Sequence, residues 1–186
     1  MSRIEAIGFH EAEGKLKEIY DGLLDQRGKL AAVHTIQSLR PESIKQHMDL
    51  YMGIMFSRSE LTRAEREMMA VVVSRANGCP YCQQHHAEAL NHHWKDDEKI
   101  HQLLKEDTPD FLSGRERALC RYARTLTLEP QKHEKHDFTR ELKTEGLGDA
   151  GILDATLVVA YFNFVNRIVL SLGVELEADH GKGYKY

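Results

Sequence analysis

Two thiols stand in the run Cys79-Pro80-Tyr81-Cys82, with an imidazole, His86, four residues further on and a carboxylate, Glu67, upstream. Residues of these types at this spacing make a dithiol redox centre with its own proton relay. Gly78 is suited to end a preceding helix, and Pro80 suits the first position of the next, where its missing N–H costs nothing. Cys79 then falls near the N-cap and Cys82 in the first turn. Unsatisfied backbone N–H groups and the helix dipole favour a thiolate there.

On a helix, Cys79, Cys82, His86 and His93 are 3, 4 and 7 residues apart and share one face. Cys82 and His86 are one turn apart, close enough for a thiol–imidazole hydrogen bond that lowers a thiol pKa. Glu67 is placed to orient His86 and hold its proton, as a carboxylate does in a catalytic triad. Its helix is otherwise apolar, and an ionisable group there needs a partner. Plainer readings exist for each group. The thiols are then incidental core residues, His86 a satisfied or exposed histidine, and Glu67 a first-turn acid favoured by the helix dipole. His85, His92 and His93 belong to a solvated face or the site rim, and Cys120 to the core. A metal reading uses Cys79, Cys82, His86 and His93 as a formal Cys₂His₂ set. Four ligands spread over about 21 Å of one helix cannot all reach one ion, whereas Cys79, Cys82 and His86 could with a fourth ligand from elsewhere; the reading adopted has no metal and no bound cofactor.

The elements that must position these residues read almost entirely as helix. Glu11–Asp25 carries apolar residues at helical period, and Pro41 opens a helix to about Met55. Thr62-Arg63-Ala64-Glu65 fits a capping box, which leaves Glu67 free of a capping role. Met68–Val73 is apolar all round and should be central and buried. The dithiol helix should run from Pro80 to about Trp94, followed by a short amphipathic helix, Asp96–Lys105. Ser113 with Glu116 caps a helix to about Leu128. His136–Thr144 reads as a further helix, and Asp149 as the cap of a long apolar helix to Leu172. Gly181–Tyr186 reads as irregular. The expected fold is all-α, with about seven or eight helices in one domain over residues 1–186, as an N-terminal helical arm (1–60) and a core (61–186) that carries the dithiol helix.

The 186 residues hold 29 acidic and 25 basic side chains, for a formal net charge of −4. With no strongly basic block, a dedicated nucleic-acid binder is excluded. Met1–Gly8 has no apolar run of signal-peptide length. Ile152–Leu172 contains Asp154, Asn163, Asn166 and Arg167 and reads as a buried helix, not a membrane span. Three cysteines do not make a secreted disulfide framework. The expected setting is the cytoplasm.

The pattern Glu67-x₁₁-Cys79-x-x-Cys82-x₃-His86 resembles the signature of alkyl hydroperoxidase D-like proteins within the carboxymuconolactone decarboxylase superfamily. Ser74–Cys82 and Tyr161-Phe162-Asn163-Phe164-Val165-Asn166-Arg167 are similar to its peroxidase-related branch. The resemblance implies an all-α fold, a homo-oligomer (often a trimer or hexamer) and thiol-dependent peroxide reduction. It makes Cys82 the peroxide-attacking thiol and Cys79 the partner that closes a disulfide with it, with His86 and Glu67 as the relay. The chain departs from the pattern at Tyr81, where the best-studied members have His; a phenol with a pKa near 10 is no base at pH 7. The expected activity is a peroxidase-like oxidoreductase that reduces organic hydroperoxides, with the disulfide reduced again by a lipoyl or thioredoxin-like dithiol protein. Alternatives are a disulfide reductase serving a separate peroxidase, a decarboxylase-like enzyme, or a metal- or redox-sensing oligomer.

Overall fold

The computed structural model describes residues 2–106 and 108–184. Among these, the regular elements are helical: α1 (Gly14–Arg27), α2 (Ala32–Thr35), α3 (Pro41–Phe56), α4 (Arg63–Ala76), α5 (Pro80–Trp94), α6 (Asp97–Lys105), α7 (Gly114–Leu128), α8 (Thr139–Thr144) and α9 (Asp149–Leu172), with a 3₁₀ turn over Pro130–Glu134. The all-α expectation holds, with more helices than the seven or eight read from periodicity.

The centre of the fold is the α4–α5 hairpin. Thr62 and Glu65 close the expected capping box on α4. Met68–Val73 are each at most 1% exposed, because α5, α7 and α9 all pack against α4. Gly78 ends this helix at a φ of +63°, a left-handed conformation that costs glycine nothing. The Gly78 N–H bonds to the Arg75 carbonyl at 2.9 Å and the Cys79 N–H to that of Ser74 at 2.8 Å. That pair of bonds is a Schellman motif. Cys79 is therefore both the last residue of one helix stop and the N-cap of the next helix, with Pro80 in its first turn.

The N-terminal arm folds back over the core. Leu16, Tyr20 and Leu23 of α1 pack with Ile44 and Met48 of α3 in a small second cluster, and α3 also leans on α9 and α4. Beyond α9, Gly173 has a φ of +68° and turns the chain back, so that residues 174–184 run beside α5. Lys185 and Tyr186 of the expected irregular tail lie outside the described residues.

Four local expectations are corrected. The first helix starts at Gly14 instead of Glu11, because Gly14 itself has a φ of +52°. α2 is a single turn and carries no periodic signal. His136 is not helical: Asp137 Oδ1 accepts the Thr139 N–H at 3.0 Å and the Thr139 hydroxyl at 2.5 Å, an Asx turn that starts α8 three residues later. Asp149 is the first helical residue of α9 and Gly148 its N-cap, with the Gly148 N–H taken by Glu60 Oε2 at 2.8 Å.

By length and composition α9 could cross a bilayer. Here one side of it packs on α3, α4, α7 and α8. Its other side leaves Leu153, Leu157 and Phe164 between 40% and 58% exposed, and these fall within one stripe of the helix.

Candidate active site

Both thiols are buried, Cys79 at 0% and Cys82 at 2% exposure, and both are reduced. Cys82 lines a cavity of ≈ 80 Å³, whereas Cys79 lies behind it. The Cys79 sulfur makes no cap hydrogen bond of ordinary geometry. Its pKa is nonetheless lowered, chiefly because the Cys82 thiol donates toward it; burial opposes this, and the Cys82 backbone N–H adds to it. Cys82, giving its proton to that interaction and buried as well, is pushed well up, with the Asn166 amide working the other way. Of the two thiols, Cys79 at the helix N-cap is therefore the one that ionises more readily and the cavity-facing Cys82 the one that holds its proton more tightly.

Across the α4–α5 interface, Glu67 is fully buried. Its Oε2 lies 2.6 Å from His86 Nδ1, and its Oε1 accepts from Arg63 Nη2 at 2.5 Å. Arg63 also reaches Tyr51 Oη at 3.3 Å and the Met55 carbonyl at 2.8 Å. Burial alone pushes the Glu67 pKa up, but His86 and Arg63 together hold it below the ordinary carboxylate value. Its ionised state fixes Nδ1 as the protonated imidazole nitrogen. His86 lines the same cavity as Cys82, with its ring edge-on to Phe162 at 4.4 Å. The thiol–imidazole hydrogen bond expected from their spacing is replaced, among the described residues, by Cys82 to Cys79 and Asn166, and by His86 to Glu67.

The rest of the cavity comes from elements distant in sequence. Arg27, Ala31, Val33 and His34 approach from the end of α1 and from α2, His47, Met48 and Tyr51 from α3, and Tyr161, Phe162 and Val165 from α9. His47 takes a hydrogen bond from Gln37 Nε2 at Nδ1 (2.9 Å) and donates from Nε2 to Tyr161 Oη (2.6 Å). Burial lowers the His47 pKa to about 4 and, with help from His47 and Arg27, that of His34 to about 3. Both rings are neutral at pH 7.

The segment after α9 closes one side. Glu177 Oε1 accepts from Tyr81 Oη at 3.0 Å and from the Ala32 N–H at 2.8 Å, and Oε2 meets His85 Nε2 at 2.8 Å. Despite burial, these partners pull the Glu177 pKa down to about 2. Tyr81 is pushed well above its ordinary value, first by burial, so its phenol is a hydrogen-bonding post and not a base.

With this geometry in place, residues 41–125, which span α3 to α7, match the carboxymuconolactone decarboxylase family. Over that stretch the chain is similar to that family. The Bacillus subtilis (strain 168) protein YdfG, itself uncharacterized, is 27% identical over 135 residues, 73% of this chain and 90% of its own. Two solved structures share the fold. A peroxidase-related protein from Ralstonia eutropha JMP134, described as an alkylhydroperoxidase AhpD core, has a TM-score of 0.86 at 21% identity, covering 97% of this chain and 94% of that one. The debrominase Bmp8, in complex with 2,3,4-tribromopyrrole, has a TM-score of 0.79 at 19% identity, covering 96% and 95%.

The matched stretch holds Glu67, Cys79, Cys82 and His86. The structure pairs Cys79 with Cys82 at the α4–α5 turn and Glu67 with His86 across the helix interface, and brings Cys82 and His86 to one cavity. It separates the others. His85 belongs to the cavity wall, His92 and His93 lie on the exposed side of α5, and Cys120 is buried in α7. Among the described residues no three His, Cys, Asp or Glu side chains group closely enough to hold a metal ion. The spacing argument had no means of finding Arg27, His34, His47 and Glu177; of these only His47 lies within the family match. Asn166 did carry a signal, a buried amide on an apolar helix. It accepts from Asn77 Nδ2 at 2.9 Å and donates to Ser74 Oγ at 3.3 Å, tying α9 to the turn that bears the thiols.

Proposed function

We propose that this protein is a thiol-dependent peroxidase of the cytoplasm, reducing organic hydroperoxides through a Cys79–Cys82 dithiol–disulfide cycle. The observation that carries this reading is that Cys82 forms part of a cavity wall next to His86, while Cys79 backs it and Glu67 holds the imidazole.

In this cycle the pair enters as a monothiolate, with its one proton on Cys82. Its transfer from Cys82 to Cys79 puts the thiolate on the cavity side. That sulfur attacks the terminal oxygen of R–O–O–H; the S–O bond forms, the O–O bond breaks, and the departing alkoxide takes the Cys79 proton to become the alcohol. Cys82 is now a sulfenic acid and Cys79 a thiolate. Cys79 attacks the Cys82 sulfur, the disulfide forms, and hydroxide leaves as water with a proton delivered through His86. Glu67 keeps the ring oriented and balances its charge while it carries that proton. In sum, one dithiol in monothiolate form, one hydroperoxide and one proton give disulfide, alcohol and water. A lipoyl or thioredoxin-like dithiol returns the protein to its reduced state by exchange. No bound cofactor is needed in this scheme.

Purified protein supplied with dihydrolipoamide should consume cumene hydroperoxide faster than H₂O₂. Disulfide exchange without peroxide consumption would instead mark a reductase serving a separate peroxidase. A second reading rests on the rings of Tyr51, Tyr161, Phe162 and Tyr184 around the cavity and on the fold shared with a debrominase: the same dithiol would reduce a small halogenated ring. Halide release from a bromopyrrole, with hydroperoxide left untouched, would select it.

A further inference from the structure

Arg27 has no role in the scheme above, and its placement is unusual. It is the last residue of α1 and is only 7% exposed. Its guanidinium lies among three aromatic rings, 5.0 Å from the centroid of Phe56, 5.5 Å from Tyr51 and 5.7 Å from Tyr184. Among the described residues no hydrogen bond and no ion pair with a carboxylate reaches it. Aromatic faces attract a cation, but they leave the five N–H donors of a guanidinium unsatisfied. Buried arginines are ordinarily paired, as Arg63 is with Glu67 here.

A second observation concerns a neighbour of Arg27 in the cavity lining. His34 is 7% exposed, lines the cavity with Arg27, and its Nδ1 is buried without a hydrogen-bond partner. The other buried histidine of the wall, His47, has both ring nitrogens bonded. The two carboxylates bonded to wall residues are committed elsewhere, Glu177 to Tyr81, Ala32 and His85 and Glu67 to His86 and Arg63. The cavity lining thus includes an unpaired fixed cation and a ring with an unpaired nitrogen, together with Cys82 and apolar and aromatic side chains.

From this we infer that Arg27 and His34 form a carboxylate-binding subsite, and that the cavity takes a small aromatic acid with its carboxylate on Arg27 and its reactive group toward Cys82. The planar fork of a guanidinium matches a carboxylate in bidentate fashion, and His34 Nδ1–H supplies a further donor in the tautomer that binds. An aromatic body suits the walls of Tyr51, Tyr161, Phe162 and Tyr184. The identity of the substrate class rests on the proposed peroxidase reading, whereas the subsite itself does not.

The test separates the two. Calorimetric titration of the reduced, full-length protein with benzoate should show saturable one-to-one binding, at least ten-fold tighter than with benzyl alcohol, which has the ring but not the charge. Arg27→Met should weaken benzoate at least ten-fold, and Arg27→Lys, which keeps the charge but loses the fork, by a smaller factor. Bound benzoate should also slow alkylation of Cys82 in the wild-type protein, a readout that depends on no variant. Equal affinity for benzoate and benzyl alcohol, no binding of either, or unchanged benzoate affinity in a folded Arg27→Met would overturn the subsite. Turnover is the separate arm: a carboxyl-substituted cumene hydroperoxide should be reduced with at least ten-fold higher kcat/KM than cumene hydroperoxide, an advantage lost in Arg27→Met. If neither hydroperoxide is consumed, the peroxidase reading fails and benzoate binding still decides the subsite.

Discussion

Glu67 Oε2 lies 2.6 Å from His86 Nδ1, and the other oxygen of the same carboxylate lies 2.5 Å from Arg63. One fully buried side chain thus orients the imidazole and neutralises a guanidinium. The two duties separate by mutation. Glu67→Gln should lower kcat by about 10²–10⁴-fold, the usual worth of acid–base positioning. It should also lose roughly 3 kcal/mol of stability, because Arg63 is left half of a broken buried pair. A first-turn acid serving only the helix dipole would cost about 0.3–1 kcal/mol and leave activity alone. In the double variant Arg63→Met/Glu67→Gln, stability should return in part while activity stays low. Denaturant melts and peroxide turnover on the same preparations check both outcomes.

Stability should fall already in mildly acid solution. Burial sets His34 at about 3 and His47 at about 4, against an ordinary value of 6.5. The folded pKa is the lower one, so the unfolded chain takes up protons first. Their contribution is whole above pH 6.5 and is lost as pH falls toward 4 and then 3. Glu67 and Glu177 are likewise lowered, but from an ordinary value of 4.5, so their losses begin only below that pH. The window from 6.5 to 4.5 belongs to the histidines, each adding a slope of up to about 1.4 kcal/mol per pH unit. Urea midpoints across that window should flatten in His47→Gln by close to one proton. An unchanged slope in that variant would show that His47 titrates normally.

The segment after α9 should govern access to the cavity. Glu177 holds Tyr81, His85 and the Ala32 N–H at once, and Lys29 meets Asp179 at 2.5 Å a little further on. Removing the first set in Glu177→Ala forfeits about 1–3 kcal/mol of local closure. Amide exchange over residues 174–184 and alkylation of Cys82 should each speed up by roughly ten-fold or more. Protection equal to wild type would mean that the segment is held by its other contacts.

A homo-oligomer is expected, with α9 as the surface that forms it. Val71–Val73 and Leu157–Val165 are both apolar stretches with hardly any polar face. The fold covers the first entirely within one chain and leaves the stripe of Leu153, Leu157 and Phe164 open. Covering that stripe removes apolar area from water at about 25 cal/mol per Å². Light scattering should give a multiple of 21.3 kDa, and Leu157→Glu should shift it toward the monomer. A monomer across a wide concentration range contradicts the expectation.

How much of this was legible beforehand depends on range. The dithiol helix was readable to the residue at both ends, because Gly78, Cys79 and Pro80 encode a helix stop and a helix start by local backbone chemistry. The Glu67–His86 contact followed from two helices joined by that turn, with Glu65 committed to the cap. The cavity was not legible. Arg27, His34 and His47 line the cavity beside Cys82 only because the N-terminal arm folds back over the core, and no local period encodes where a returning arm lands. The partner of Tyr81 was hidden for the same reason, since Glu177 is 96 residues away in the chain. The order of the two thiol pKa values also waited on coordinates: spacing paired Cys82 with His86, whereas the fold turns its thiol toward Cys79.

The most direct measurement is the stoichiometry and location of oxidation after one turnover. Reduced protein mixed with one equivalent of cumene hydroperoxide should lose two thiols per peroxide consumed and form one equivalent of cumyl alcohol. Peptide mapping should then find the Cys79–Cys82 disulfide with Cys120 still reactive once the chain is unfolded. In Cys79→Ser the same reaction should stop at a sulfenic acid on Cys82. Peroxide left unconsumed with all three thiols intact, or a dominant bridge to Cys120, would contradict the proposed chemistry.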